Sequence, residues 1–177
     1  VTARVDTPVN IGRDDAGHEV TLPFALTLED FSIEEYPPKL YILDTRRESS
    51  SREFLSVEAD GSEAVIDGWR IRAEHSLDMA GHLPEESDWR AMKHIGAAPA
   101  VYVSAENIVS DEQFRGWVSC GSHIFEPSYL MLPDGKAVAM PRREAKRYLS
   151  RVNIMEEDGV RHNVEIEVNH PARVGSW

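Results

Sequence analysis

Apolar residues fall on alternate positions between His18 and Tyr36: Val20, Leu22, Phe24, Leu26 and Leu28, separated by polar or small side chains. A period of two marks a strand with one buried face. Phe31 and Ile33 then occupy odd positions, so the phase slips near Glu29–Asp30; a β-bulge or a break into a second strand accounts for it. Pro37–Pro38 ends the segment, and residues 39–44 (KLYILD) open another strand. Residues 52–77 read as a strand, a turn at Asp60–Gly61 and a second strand through Trp69, Ile71 and Ala73. Residues 98–109 form a strand that pairs with 114–125 across the polar run Ser110-Asp111-Glu112-Gln113. Residues 129–141 and 147–169 read as hairpins turning at Asp134–Gly135 and Asp158–Gly159.

One segment departs from this pattern. Residues 83–96 place Pro84 near a start, acids in a first turn, Lys93 and His94 in a last turn and Gly96 just beyond, which predicts a short helix. Short strands, Asp-Gly turns and one short helix predict a mainly β chain, an antiparallel β-sandwich or open barrel. No repeat, low-complexity tract or interior linker interrupts it. Its 177 residues predict a single domain over 1–177, with 78–97 as a possible insertion.

Charge narrows the choice of partners. With 31 acidic and 19 basic residues the net charge is −12, which argues against nucleic acid and anionic membrane surfaces and leaves a basic protein as a steerable partner. Cys120 is the only cysteine, so no intrachain disulfide forms. The first ten residues have neither the basic nor the apolar region of a signal peptide. The longest apolar run, 96–103, falls far short of the ~20 residues that a membrane helix needs.

Candidate chemistry is sparse. None of the seven histidines (His18, His75, His82, His94, His123, His162 and His170) has the helical i, i+4 or close Cys/His spacing of a metal site. His75, His82 and His94 flank the predicted helix and could converge there, whereas His162 shares its phase with Val164 and Ile166 and is expected to face inward. Cys120 and His123 need a bend at Gly121 to meet, and a buried small thiol is the expectation for Cys120. Glu34–Glu35 and Glu156-Glu157-Asp158 read as solvated charges. Neither a glycine-rich phosphate loop nor a serine nucleophile elbow is present, so the expectation is a non-enzymatic chain with no catalytic residue and no metal site.

Two stretches carry a family resemblance. Residues 22–37 (LPFALTLEDFSIEEYP) resemble the opening of the extracytoplasmic domain of ResB/CcsB-like proteins, the system II cytochrome c maturation components, at Leu22, Pro23, Phe24, Leu26, Leu28, Asp30, Phe31 and Tyr36. Residues 148–177 resemble the family's closing hairpin, at Ser150, Val152, Gly159, Val168, Asn169, Pro171 and Gly175, although Ala172 stands where a larger apolar residue is usual. Residues 45–140 carry no such likeness. Within these stretches Pro23, Phe24, Asp30, Phe31, Tyr36, Ser150, Gly159, Asn169 and Pro171 are expected to be structural. Asp30 and Asn169 suit bonds to turn backbone, and Pro171 suits the end of a ladder.

The resemblance implies a soluble domain on the extracytoplasmic (periplasmic) face of the cytoplasmic membrane. Its parent would be anchored by membrane segments before Val1 and after Trp177, with Trp177 approaching the interface. It further implies a scaffold and docking surface for a CcsA-type membrane partner and for apocytochrome c. Haem is then handled by the full complex, through histidines outside this chain, and this domain needs no cofactor of its own. The alternative is a secreted β-sandwich that binds carbohydrate or protein through an exposed platform of Trp69, Trp89 and Trp117.

Overall fold

The computed structural model describes residues 5–83, 88–168, 170 and 173. It is mainly β, with three antiparallel sheets. The strands in chain order are β1 (Val9–Arg13), β2 (Glu19–Glu35), β3 (Lys39–Asp44), β4 (Ser49–Ser50), β5 (Leu55–Ser56), β6 (Glu63–Ile66), β7 (Trp69–Gly81), β8 (Arg90–Ala91), β9 (Ala98–Asn107), β10 (Gln113–Ser119), β11 (Leu130–Leu132), β12 (Lys136–Ala139), β13 (Ala145–Glu156) and β14 (Arg161–Glu167). The chain divides into two compact units, one of residues 1–36 with 144–177 and the other of residues 37–143.

The first unit is a four-stranded sheet in the order β1-β2-β13-β14. Its central ladder joins β2 to β13 from Phe24↔Glu156 to Glu35↔Ala145. Arg151 pairs with Asp30 and Val152 with Leu28, so Glu29 is the extra residue of a β-bulge at the point where the sequence phase slips. The bulge keeps Leu26, Leu28, Phe31 and Ile33 on one side of a single 17-residue strand. Pro23 lies in the gap between the β1 partners of Thr21 and Leu26, one residue beyond the last β13 pair, where its missing N–H costs the ladder nothing. Gly159 closes the β13–β14 hairpin at φ 87°, a conformation that a side chain resists, and its N–H reaches the Glu156 carbonyl at 3.0 Å.

The second unit holds two five-stranded sheets. One runs β10-β9-β7-β6 with β8 on β7; the other runs β11-β12-β3-β4 with β5 on β3. Leu40, Ile42, Leu130 and Val138 from one sheet and Trp69, Ile71, Val101, Val103 and Val118 from the other form one buried cluster. Three Asp-Gly turns stand where the pattern places them, at 60–61, 134–135 and 158–159. A fourth, Asp67–Gly68 with φ 49° and 83°, makes a two-residue hairpin from β6 to β7 inside what reads as one segment.

The predicted short helix does not form over the described residues of 83–96. The chain there runs irregularly through β8, and the one helical turn described is the 3-10 turn Pro133–Gly135. Leu83 and Ile95, near the two ends of the segment, are 56% and 92% exposed. Trp89 dominates instead. It is buried on the face of β7 and β9 opposite the main core, against Ala80, Ala98 and Ala100, with Phe125 and His82 edging its ring at 5.7 and 4.9 Å. Its indole N–H donates to Ser128 Oγ at 3.0 Å. Trp89→Ala should lower stability by about 3–5 kcal/mol, seen as a lower urea midpoint at unchanged slope. Leu83→Ala should stay within about 0.5 kcal/mol of the parent. A Trp89→Ala midpoint equal to the parent's would show that this second cluster does not anchor the segment.

Candidate functional site

The two stretches that carry the resemblance meet in the four-stranded sheet. Side chains directly opposite across a ladder share a face, so Phe31 stands with its partner Ser150, and Ile33 with its partner Tyr148. Phe31 and Tyr148 stack diagonally, with ring centroids 6.5 Å apart and planes 22° apart. Val152 and Ile154 continue this face and are buried, flanked by half-buried Leu26, Leu28 and Val164. Beyond the bulge the same face opens. Phe31, Ile33 and Tyr148 are 51%, 49% and 45% exposed. These half-exposed apolar side chains form an open patch beside the buried Val152 and Ile154.

The reverse face of that half of the sheet is ionic. Arg151 Nη2 binds Asp30 Oδ2 at 2.9 Å, and Arg147 bridges Glu34 at 2.9 Å and Glu167 at 3.2 Å. Lys146 Nζ, beside the register shift between Ala145 and Arg147, donates to Glu34 Oε1 at 2.8 Å. A shallow cleft of about 290 Å³ opens at this end between Lys146, Arg147, Tyr148, Glu167, Val168 and His170.

Asp30 is therefore a strand residue that pairs with Arg151, not a ligand of turn backbone, because the bulge at Glu29 lets β2 run through it. Phe24 is half-buried opposite Glu156, and Ser150 is half-buried between Phe31 and Ile166. Tyr36 follows β2, and its N–H donates to the Glu144 carbonyl at 3.0 Å. Asn169, Pro171 and Gly175 lie outside the described residues. The motif pattern marks Phe31 and Tyr36 but passes over Ile33, Tyr148 and Lys146. The alternation around Ser150 puts Tyr148 on the face of Val152, and that phase was the available signal.

The histidines are spread apart. His75 Nδ1 lies 3.0 Å from Asp60, His82 packs on Trp89, and His94 Nδ1 accepts the Gly96 N–H at 3.1 Å. His162 is exposed rather than inward-facing: β14 pairs only with β13 among the described strands, and the ring reaches Glu156 Oε1 at 2.9 Å. Among the described residues no group of three or more His, Cys, Asp or Glu is placed to hold a metal ion. Gly121 supplies the anticipated bend at φ 66°, while Cys120 packs against the main core and its thiol donates to the Gly121 carbonyl. Trp69 and Trp89 are buried, so they form no exposed platform with Trp117. No helix among the described residues is long and apolar enough to cross a membrane.

The Glu34–Lys146 contact, between two partly exposed side chains, shifts both groups. The Lys146 hydrogen bond holds the Glu34 carboxyl below its ordinary range, and the Glu34 hydrogen bond raises Lys146. A depressed carboxyl stabilises the fold above its unfolded pKa of about 4.3, and a raised amine does so below its unfolded pKa of about 10.4. The contact thus contributes between roughly pH 5 and 10 and fades on either side. A carboxyl NMR titration should place the Glu34 midpoint low, and Lys146→Ala should move it up. An unmoved midpoint would remove the lysine as the cause.

No family model, curated protein or solved structure matches the chain.

Proposed function

We propose that this chain is a non-catalytic scaffold and docking domain, and that the open apolar face of Phe31, Ile33 and Tyr148 is where a partner polypeptide seats. Following the resemblance, the parent is a ResB-like cytochrome c maturation component, the location is the extracytoplasmic side of the membrane, and the docked partner is apocytochrome c. The observation that carries the reading is the convergence of the two resembling stretches. They are separated by 110 residues (38–147), yet they lie side by side in β2 and β13 and together build a half-open aromatic face of that sheet.

Charge supports a basic occupant. The unit that bears this face has 14 acidic against 7 basic residues, a net −7 of the chain's −12. Such a field raises the encounter rate with a basic partner and is screened by salt, while buried aromatic anchors supply the hold. A CcsA-type membrane partner belongs to the same reading, and haem is handled by the assembled complex rather than by this domain. Burial of Trp69 and Trp89 weighs against the three-tryptophan platform of the carbohydrate-binding alternative.

Titration of the chain with haem-free cytochrome c should give binding that weakens as salt rises. The double variant Phe31→Ala/Tyr148→Ala should lose at least about tenfold in affinity, or 1.4 kcal/mol, with its melting temperature little changed. Absence of binding, or binding indifferent to both the variant and salt, would overturn the docking reading. Coding sequence on either side of Val1 and Trp177 should specify apolar runs of ~20 residues. A cleavable leader and an early stop codon there would refute the membrane-tethered parent.

A further inference from the structure

The outer face of sheet β10-β9-β7-β6 carries a second constellation, in the other unit. On β7 and β9, Ile71, Ala73, Val101, Val103 and Ala105 point into the main core, so the residues alternating with them face outward. Register sets these in rows. Arg115 on β10, Ser104 on β9, Arg72 on β7 and Glu63 on β6 stand side by side. The next row is Trp117, Tyr102 and His75, and the row on the other side is Gln113, Glu106 and Arg70.

Ser104 is small and its row neighbours are arginines, so the middle row and the Gln113-Glu106-Arg70 row beside it enclose a trough of about 230 Å³ with a serine floor. A bulge between Ala73 and His75 turns both Glu74 and His75 outward. Asp60 holds it by accepting from the Ser76 N–H at 2.7 Å and Oγ at 2.8 Å while pairing with His75 at 3.0 Å. Glu74 Oε1 then accepts from Ser104 Oγ at 2.7 Å, at the floor of the trough. In the adjoining row, beside the trough and outside its lining, Tyr102 and Trp117 meet edge to face, 5.3 Å between centroids, and His75 edges Trp117 at 6.3 Å; Trp117 is half-buried against the Trp89 cluster.

The charges balance. Three arginines face three glutamates, with Arg70 bridging Glu106 at 2.9 Å and Glu63 at 3.6 Å, and Arg72 lying 3.9 Å from Glu74. Arg115 makes no ion pair with a described residue, so its guanidinium is available to a ligand. An electrically neutral trough on a chain of net charge −12 selects neither an anion nor a cation. It offers donors (Arg72, Arg115, Gln113) beside acceptors (Glu74, Glu106), with apolar ring surface in the adjoining row. Sugar hydroxyls donate and accept at once, and the C–H face of a pyranose is apolar.

We propose that this trough binds a neutral saccharide, with hydroxyls shared between Arg115, Arg72 and Glu74 and the C–H face of a sugar ring laid on the Tyr102–Trp117 pair. The site is separate from the docking face, and neither reading depends on the other.

Amide shift mapping of the whole chain with neutral hexose and N-acetylhexosamine oligosaccharides, at millimolar concentration, tests it. Saturable shifts should gather at Arg72, Ser104, Arg115 and Trp117. Arg115→Ala should weaken binding by roughly tenfold or more, and Ser104→Arg, which fills the trough from an exposed face, should abolish it; both variants should melt with the parent. Phe31→Ala/Tyr148→Ala should bind as the parent does. Absence of a saturable response to every neutral oligosaccharide, shifts confined to the other unit, a preference for uronate-containing sugars, or binding that survives Ser104→Arg would each overturn the proposal.

Discussion

Pairing of β2 with β13 is the constraint on which the first unit depends. These strands form its centre, yet the 107 residues Pro37–Arg143 come between them in sequence. Closing a long flexible loop is less costly than its length suggests, since each doubling adds only about 0.6 kcal/mol, but the interval here is a folded unit with its own core. The ladder continues to the junction, where the Tyr36 N–H still reaches the Glu144 carbonyl. Any fold of the 107 residues that separated 36 from 144 would forfeit the pairing and every feature built on it, including the apolar face and its ionic reverse.

Much of the architecture could be read from alternation because most strands here bury one face. The slip at Glu29–Asp30 was visible because Leu28 and Phe31 cannot share a face without an extra residue between them, and the bulge supplies it. The predicted helix fails for the complementary reason. Its end signals are local, whereas the fate of 83–96 is decided by Trp89 docking onto three alanines of β7 and β9, two of them after the segment in sequence. The Asp67–Gly68 turn is masked in the sequence because apolar residues flank it closely on both sides, so the two strands merge into one run.

The candidate surfaces were less legible. Phase alone says that Tyr148 and Phe31 each lie on an apolar side, but their stacking depends on the β2–β13 register, which nothing local specifies. His162 shows the opposite failure. Its phase is that of Val164, but β14 has only one strand partner among the described residues, and Glu156 lies within reach of the ring. Ser104, Arg72 and Arg115 are scattered over 44 positions of sequence and become a trough only when β7, β9 and β10 align.

The ionic reverse of the first sheet bears on what its open face can do. Exposed ion pairs contribute little stability one by one, but Asp30–Arg151, Glu34–Arg147 and Arg147–Glu167 tie β2, β13 and β14 together on one side of the ladder. Cross-strand ties on that side oppose local fraying, so Phe31, Ile33 and Tyr148 are displayed on fixed backbone instead of collapsing into a local core. Burial of apolar surface on association is worth roughly 25 cal/mol per Å², and a partner gains most of it when the rings need no reordering first. A half-open apolar face on a tied sheet is therefore better suited to binding than the same residues on a loose hairpin, and this is the physical sense in which charges on one side of the sheet serve a contact made on the other.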